Sequence, residues 1–374
     1  VGIYGVAPEP YTADGSLGGC GGWGGSVWRP APLVDKYPSP FSVVNGARTI
    51  LTSKVRTLEA GGNSLDYFTA LKAALQMPVA TNERTKMDVL RKIAADVFAA
   101  DVVDEIVDAW YILERAETMA GVAGANPFGG VLMLRWLTRP FVAHQELLTE
   151  DEKSYWTPYI YQSQASQPDT WLDYLNQSGY KIAHTWEDAG RICCAIDAIE
   201  GTLAAASSKL LEAADKTKDK RAKEKLIADS YRIRAQRSLY LTTRHYLQLG
   251  TLIYARDAAL KKYYGGAGVS PATSSPMPST DPDDYPGLPK GNYGDNGLFF
   301  LHRSMRWELD NTNELLKLIK ESPVPLFHTA PTKEFACSLL LEPNYAENLQ
   351  KKVDITLKYW RTAEIGWYRP TLGG

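Results

Sequence analysis

None of the chain's 22 prolines falls between Pro168 and Pro271. Proline removes an amide donor and clashes with the preceding helical turn, so a span without it can run as uninterrupted helix. The pattern predicts helices over about 184–215 and 219–263, joined by a turn rich in lysine and aspartate. Such long elements set the architecture, and the expected fold class is all-α: a large helical bundle or array.

The rest of the chain reads around that core. Residues 47–60 and 64–76 form a helical pair split by Gly61-Gly62-Asn63, and one longer helix runs from Thr81 to Gly121. Gly121 to Gly130 is a turn region, and Pro140 must kink or end the helix expected over 130–148. Residues 154–171 are an aromatic loop, 265–298 a long loop of Gly, Pro, Ser and Asp, and helices are expected near 299–321, 332–340 and 344–366. The first 47 residues carry Gly18-Gly19-Cys20-Gly21-Gly22-Trp23-Gly24-Gly25 and several large aromatics, without periodicity. They read as an extended segment wrapping a helical domain over 48–374, since flexible linkers seldom hold so many large apolar groups.

A net charge of −2 argues against a protein devoted to nucleic acid, and no run of about 18 apolar residues predicts a membrane span. Val1 in place of methionine suggests a processed N-terminus or a fragment. Cys20, Cys193, Cys194 and Cys337 are too few and too irregular for a disulfide framework or a zinc site. At least one of the adjacent Cys193 and Cys194 is expected to be buried.

Charge is unevenly placed. From Lys216 to Lys262 there are 13 lysines and arginines against four acids. At about 100° per residue, Arg234, Arg237, Arg244, His245 and Arg256 share one arc, while the leucines of the same helix point all round. A helix apolar on every side is central, so these arginines should be partly buried and need anions. Asp101, Asp104, Glu105 and Asp108 share a helix face and are one internal candidate; a carboxylated or sulfated ligand is another.

Candidates for chemistry are sparse. Glu187 and Asp188 follow His184 at a predicted helix start, where acids also simply complement the helix dipole; they are the first choice for catalysis if there is any. No Glu-x-x-His occurs, so no di-metal site is expected; no metal or other cofactor is expected at all. The run Tyr155-Trp156-Thr157-Pro158-Tyr159-Ile160-Tyr161, then Trp171, with Gln162, Gln164, Gln167 and Asn176 nearby, suits sugar rings, or else pins a loop to the body.

Two stretches carry a resemblance: Arg135-Trp136-Leu137-Thr138-Arg139-Pro140 with the loop after it, and Leu340-Leu341-Glu342-Pro343-Asn344 running on to Lys358-Tyr359-Trp360-Arg361. They resemble helical regions of large secreted bacterial proteins associated with glycan breakdown. The resemblance implies a secreted or cell-surface protein that binds or processes carbohydrate, and it transfers no catalytic residue. Tyr155, Trp156, Tyr159 and Trp171 are then the expected stacking residues, with Arg237 and Arg244 for an acidic sugar. The alternative is a structural subunit of a larger assembly, with other protein subunits as partners.

Overall fold

A computed structural model describes residues 44, 72, 75–76, 83–123, 137–142, 148–152, 176–177, 180–181, 186–263, 293–327, 329–333 and 341–359. The fold is all-α, as expected. Helices α1 (Glu83–Val97) and α2 (Val103–Ala123) precede α3 (Trp186–Lys216), α4 (Lys220–Tyr263), α5 (Tyr293–Glu321) and α6 (Tyr345–Lys358). Extended structure among the described residues is slight: β1 (Asn176–Gln177) pairs antiparallel with β2 (Tyr180–Lys181), and Thr329 bridges Leu341. No described helix is long and apolar enough to cross a membrane. The N-terminal 1–47 segment, apart from Val44, and the 154–171 and 265–292 loop residues lie outside the described residues.

The two proline-free helices stand within two residues of their expected bounds. Their joint is built by short polar side chains. Thr217 Oγ1 donates to Asp101 (3.0 Å), while Asp219 Oδ1 accepts the Ala222 amide (3.0 Å) and so caps α4. The expected single helix from Thr81 to Gly121 is instead two. Ala99 is extended (φ −153°, ψ 143°), and a 3-10 turn over Ala100–Val102 restarts the chain. The Phe98 ring there packs 6.2 Å from Trp110, and the Lys225 ammonium lies 4.7 Å over it. This tertiary contact overrides local propensity, with no glycine or proline to announce it. Helix α5 starts six residues before its expected bound. Gly294 and Gly297 hide its first turns from sequence reading, each weakening helix by about 1 kcal/mol relative to alanine.

The chain divides into two compact units: residues 1–131, 195–240 and 318–343 form the first, and 132–194, 241–317 and 344–374 the second. In the first, Leu90, Ile93, Ile106, Trp110, Ile199 and Leu226 are buried. Helices α3 and α4 run antiparallel there, and their polar pairs keep a step of seven residues. Glu200 meets Arg237, and Ser207 Oγ lies 2.8 Å from Ser230 Oγ. A seven-residue step holds one seam between two helices in register. From Ile233 to Leu249 buried residues occur on every side of α4, as its all-round leucines predict.

In the second unit, Val142, Leu148, Ile355 and Tyr359 form one apolar cluster. Beside it, Thr149 and Glu152 make a reciprocal cap at a helix start: the Thr149 amide donates to Glu152 Oε2 (2.9 Å), and the Glu152 amide to Thr149 Oγ1 (3.3 Å). Lys358 Nζ and Tyr359 Oη also donate to the Glu152 carboxylate, at 2.7 and 2.6 Å. Those donors outweigh its desolvation and hold it at about 2. Thr149→Ala should lower stability by about 1 kcal/mol in a chemical-denaturation midpoint, and Thr149→Ser by much less.

Candidate functional site

The most unusual chemistry of the second unit is in its interior. Segment 137–142 is buried yet helical only at Leu137, so its backbone groups cannot satisfy one another. Side chains do so instead. Lys352 Nζ donates to the Leu137 carbonyl (3.0 Å), Tyr246 Oη donates to the Arg139 carbonyl, and the Phe141 amide donates to Thr356 Oγ1 (2.9 Å). Lys352 and Thr356 belong to a polar line along α6, where Asn348, Lys352 and Thr356 recur every fourth residue and are all buried.

Lys352 brings a full charge inside, and Glu308 of α5 answers it. Glu308 is 1% exposed and Lys352 equally so, and the ammonium donates directly to Glu308 Oε1. Glu308 also accepts from Thr242 Oγ1 (3.0 Å), and its Oε2 lies 2.7 Å from His245 Nδ1. Asn311 Nδ2 then donates to Thr242 Oγ1 at 3.0 Å. Burial alone would raise Glu308, but Lys352 and His245 together hold it at about 2. An ionised carboxylate only accepts, so Nδ1 of His245 carries the proton. Lys352, with one counter-charge, is pushed below the usual lysine range by burial. The group is sealed, and its work is to fix three helices and an irregular segment to one another.

On an adjoining face, the same helices approach the surface. Arg244 and Trp307 are the chain neighbours of His245 and Glu308. The indole of Trp307, partly buried, has the Arg244 guanidinium 4.8 Å and the Arg303 guanidinium 4.1 Å from its centre. The His245 ring lies 6.1 Å away, tilted 31°. Arg303 is exposed. Cys193 Sγ of α3 donates to the Arg244 carbonyl (3.8 Å).

The expected site residues fare differently. Arg237 donates through Nε to Glu200 at 2.7 Å, so its anion is internal and comes from α3. It is not the acidic stripe of α2. That stripe meets other groups: Asp101 accepts from Thr217 and the Lys218 amide, Glu105 from Lys216, and Asp104 pairs with Arg91. Asp101 is lowered chiefly by the Lys218 amide, and Glu105 by Lys216. Arg234 lies 5.2 Å over Tyr231. Arg237→Ala and Glu200→Ala should show a coupling of about 0.5–1 kcal/mol in a double-mutant cycle, since both partners are partly solvated.

Glu187 and Asp188 fall in the first turn of α3, but their side chains lie outside the described residues, as do Tyr155, Trp156, Tyr159, Trp171 and Arg256. Neither neighbouring cysteine is buried, against expectation: Cys194 is exposed and Cys193 partly covered. The buried stripe of α3 runs through Ile192, Ile196, Ile199 and Leu203, and the two cysteines stand beside that face rather than on it. Among the described residues no three His, Cys, Asp or Glu side chains come together as metal ligands. Comparison of the chain with protein-family models, with curated proteins and with solved structures found no match.

Proposed function

We propose that this chain is a carbohydrate-binding helical protein, and that on its described helices the ligand-facing chemistry is the surface formed by Arg244, Trp307 and Arg303. The observation that carries this reading is the exposed Arg303 guanidinium stacked 4.1 Å from the Trp307 ring centre. Stacking fixes the plane of the guanidinium while its N–H edges stay available to hydroxyl and carboxylate oxygens. The aromatic and amide-rich run from Tyr155 to Asn176 supports the same reading from sequence. A secreted or cell-surface setting, which the resemblance implies, belongs to the same proposal.

Calorimetry of the full chain against a panel of neutral and acidic polysaccharides tests it. Binding to at least one, weakened in Arg303→Ala, is the expected result; heats of dilution across the whole panel would end the proposal.

The second reading is a structural subunit of a larger assembly. It is favoured by the pairing of Arg237 with Glu200 and by the sealed Glu308 group, which put charge to work inside the protein. The mass of native material discriminates: a monomer that binds polysaccharide excludes it.

A further inference from the structure

We infer that the turn between α3 and α4 is a cleavage site for endopeptidases that require lysine or arginine before the scissile bond. The cut chain stays assembled as two pieces. Neither statement depends on the carbohydrate reading. Four consecutive residues of the turn, Lys218, Asp219, Lys220 and Arg221, are exposed, and they stand between buried Thr217 and Ala222. The Lys220 side chain is 91% exposed, with its ammonium 3.9 Å from Glu224. A carboxylate-lined specificity pocket, as in trypsin, selects a basic side chain that stands this open.

The backbone decides between this pair and another. Arg91-Lys92 is also an adjacent basic pair with both residues exposed, but it lies inside α1. There Asp104 and Asp96 each stand 3.3 Å from one of the two cations. An endopeptidase takes its substrate extended, so a helix interior must unwind on both sides of the bond. At Lys220–Arg221 only the following side is helix. The two amides belong to the first turn of α4, where no preceding helical carbonyl reaches them. Asp219 holds that turn, accepting the Ala222 amide on Oδ1 (3.0 Å) and the Lys223 amide on its carbonyl (2.9 Å). On the preceding side the chain is pinned by one carboxylate rather than a ladder: Asp101 accepts from Thr217 Oγ1 (3.0 Å) and the Lys218 amide (3.1 Å).

Hydrolysis adds one water across the Lys220–Arg221 peptide bond and leaves a carboxylate on Lys220 and an ammonium on Arg221. The contacts that join α3 to α4 lie away from the cut. Ser207 meets Ser230 and Glu200 meets Arg237, with Leu210, Leu226 and Ile233 buried among them. These hold one piece to the other.

Limited digestion of the full chain with trypsin, followed by fragment masses over time, tests this. Each rate is divided by that of a free peptide of the same sequence, which removes the enzyme's own preference. The turn pair should then be cut at least about tenfold faster than Arg91-Lys92. Asp219→Ala, which removes the cap on α4, should quicken the turn cut about fivefold and leave the α1 cut unchanged. Both pieces should co-elute in size exclusion and part only in denaturant. Equal corrected rates at the two pairs overturn the site, by showing that any exposed basic pair is cut. An unchanged rate in Asp219→Ala overturns entry through the first turn of α4, and pieces that part without denaturant overturn the assembled two-piece form.

Discussion

Glu308→Gln should cost about 3–5 kcal/mol of folding stability, because it leaves the Lys352 ammonium buried without its counter-charge. Glutamine keeps one acceptor oxygen, enough for Thr242 on one side or His245 on the other, so one hydrogen bond is lost as well, and the larger part of the loss comes from charge. The companion change is Lys352→Met, close to lysine in volume and neutral. Alone it strands the carboxylate and should be comparably damaging. Together the two should recover most of the loss, since neutralising a whole buried pair is often tolerated where breaking it is not. Urea midpoints of the four proteins measure this. A double variant no more stable than either single one would show that Lys352 matters through its bond to the Leu137 carbonyl, not through Glu308.

Acid should weaken the protein for a related reason. Glu308 titrates at about 2 in the folded chain, against 4.5 for an ordinary glutamate. A depressed folded value means that its contribution is complete above about pH 4.5 and disappears as pH falls from there through 2. Its size is about 3 kcal/mol. Glu152, also held at about 2, acts in the same sense over the same window, but its lysine partner is half exposed and water screens part of the effect. Lys352 acts at the other end of the scale: lowered by burial, it favours folding more as alkali removes its proton. Denaturation midpoints at pH 7, 4 and 2.5 should therefore fall steeply below pH 4.5. The fall should be shallower in the double variant that combines Glu308→Gln with Lys352→Met. An identical fall in both proteins would remove Glu308 from the account.

Helices α3 and α4 are legible in the sequence because nothing interrupts their periodicity and because Asp219 marks the start of the second. The break at Ala99 is not, since it depends on Phe98 finding Trp110 and Lys225 in space. That Arg237 needs an anion follows from its helix alone. That the anion is Glu200 follows only from the facing of α3 and α4, which requires the register of two helices to be known. Glu308 and Lys352 do leave a usable trace. Each falls on a stripe that is partly apolar: Glu308 with Leu301, Met305 and Leu315, Lys352 with Leu349, Val353 and Ile355 beside the polar line of Asn348 and Thr356. Opposite charges on two such stripes point to one another when the helices pack. Trp307 and Arg303 carry no such mark, since an arginine one turn before a tryptophan is ordinary on a helix surface.

Glu152 gathers the Thr149 amide, the Lys358 ammonium and the Tyr359 hydroxyl on one carboxylate. A helix start and the far end of α6, more than 200 positions apart in the chain, are therefore held by a single group. Neither can fray alone without stripping the other of its bonds. In hydrogen exchange the amides of Thr149 and Tyr359 should behave as members of one cooperative opening unit, slowing and quickening together as denaturant is varied.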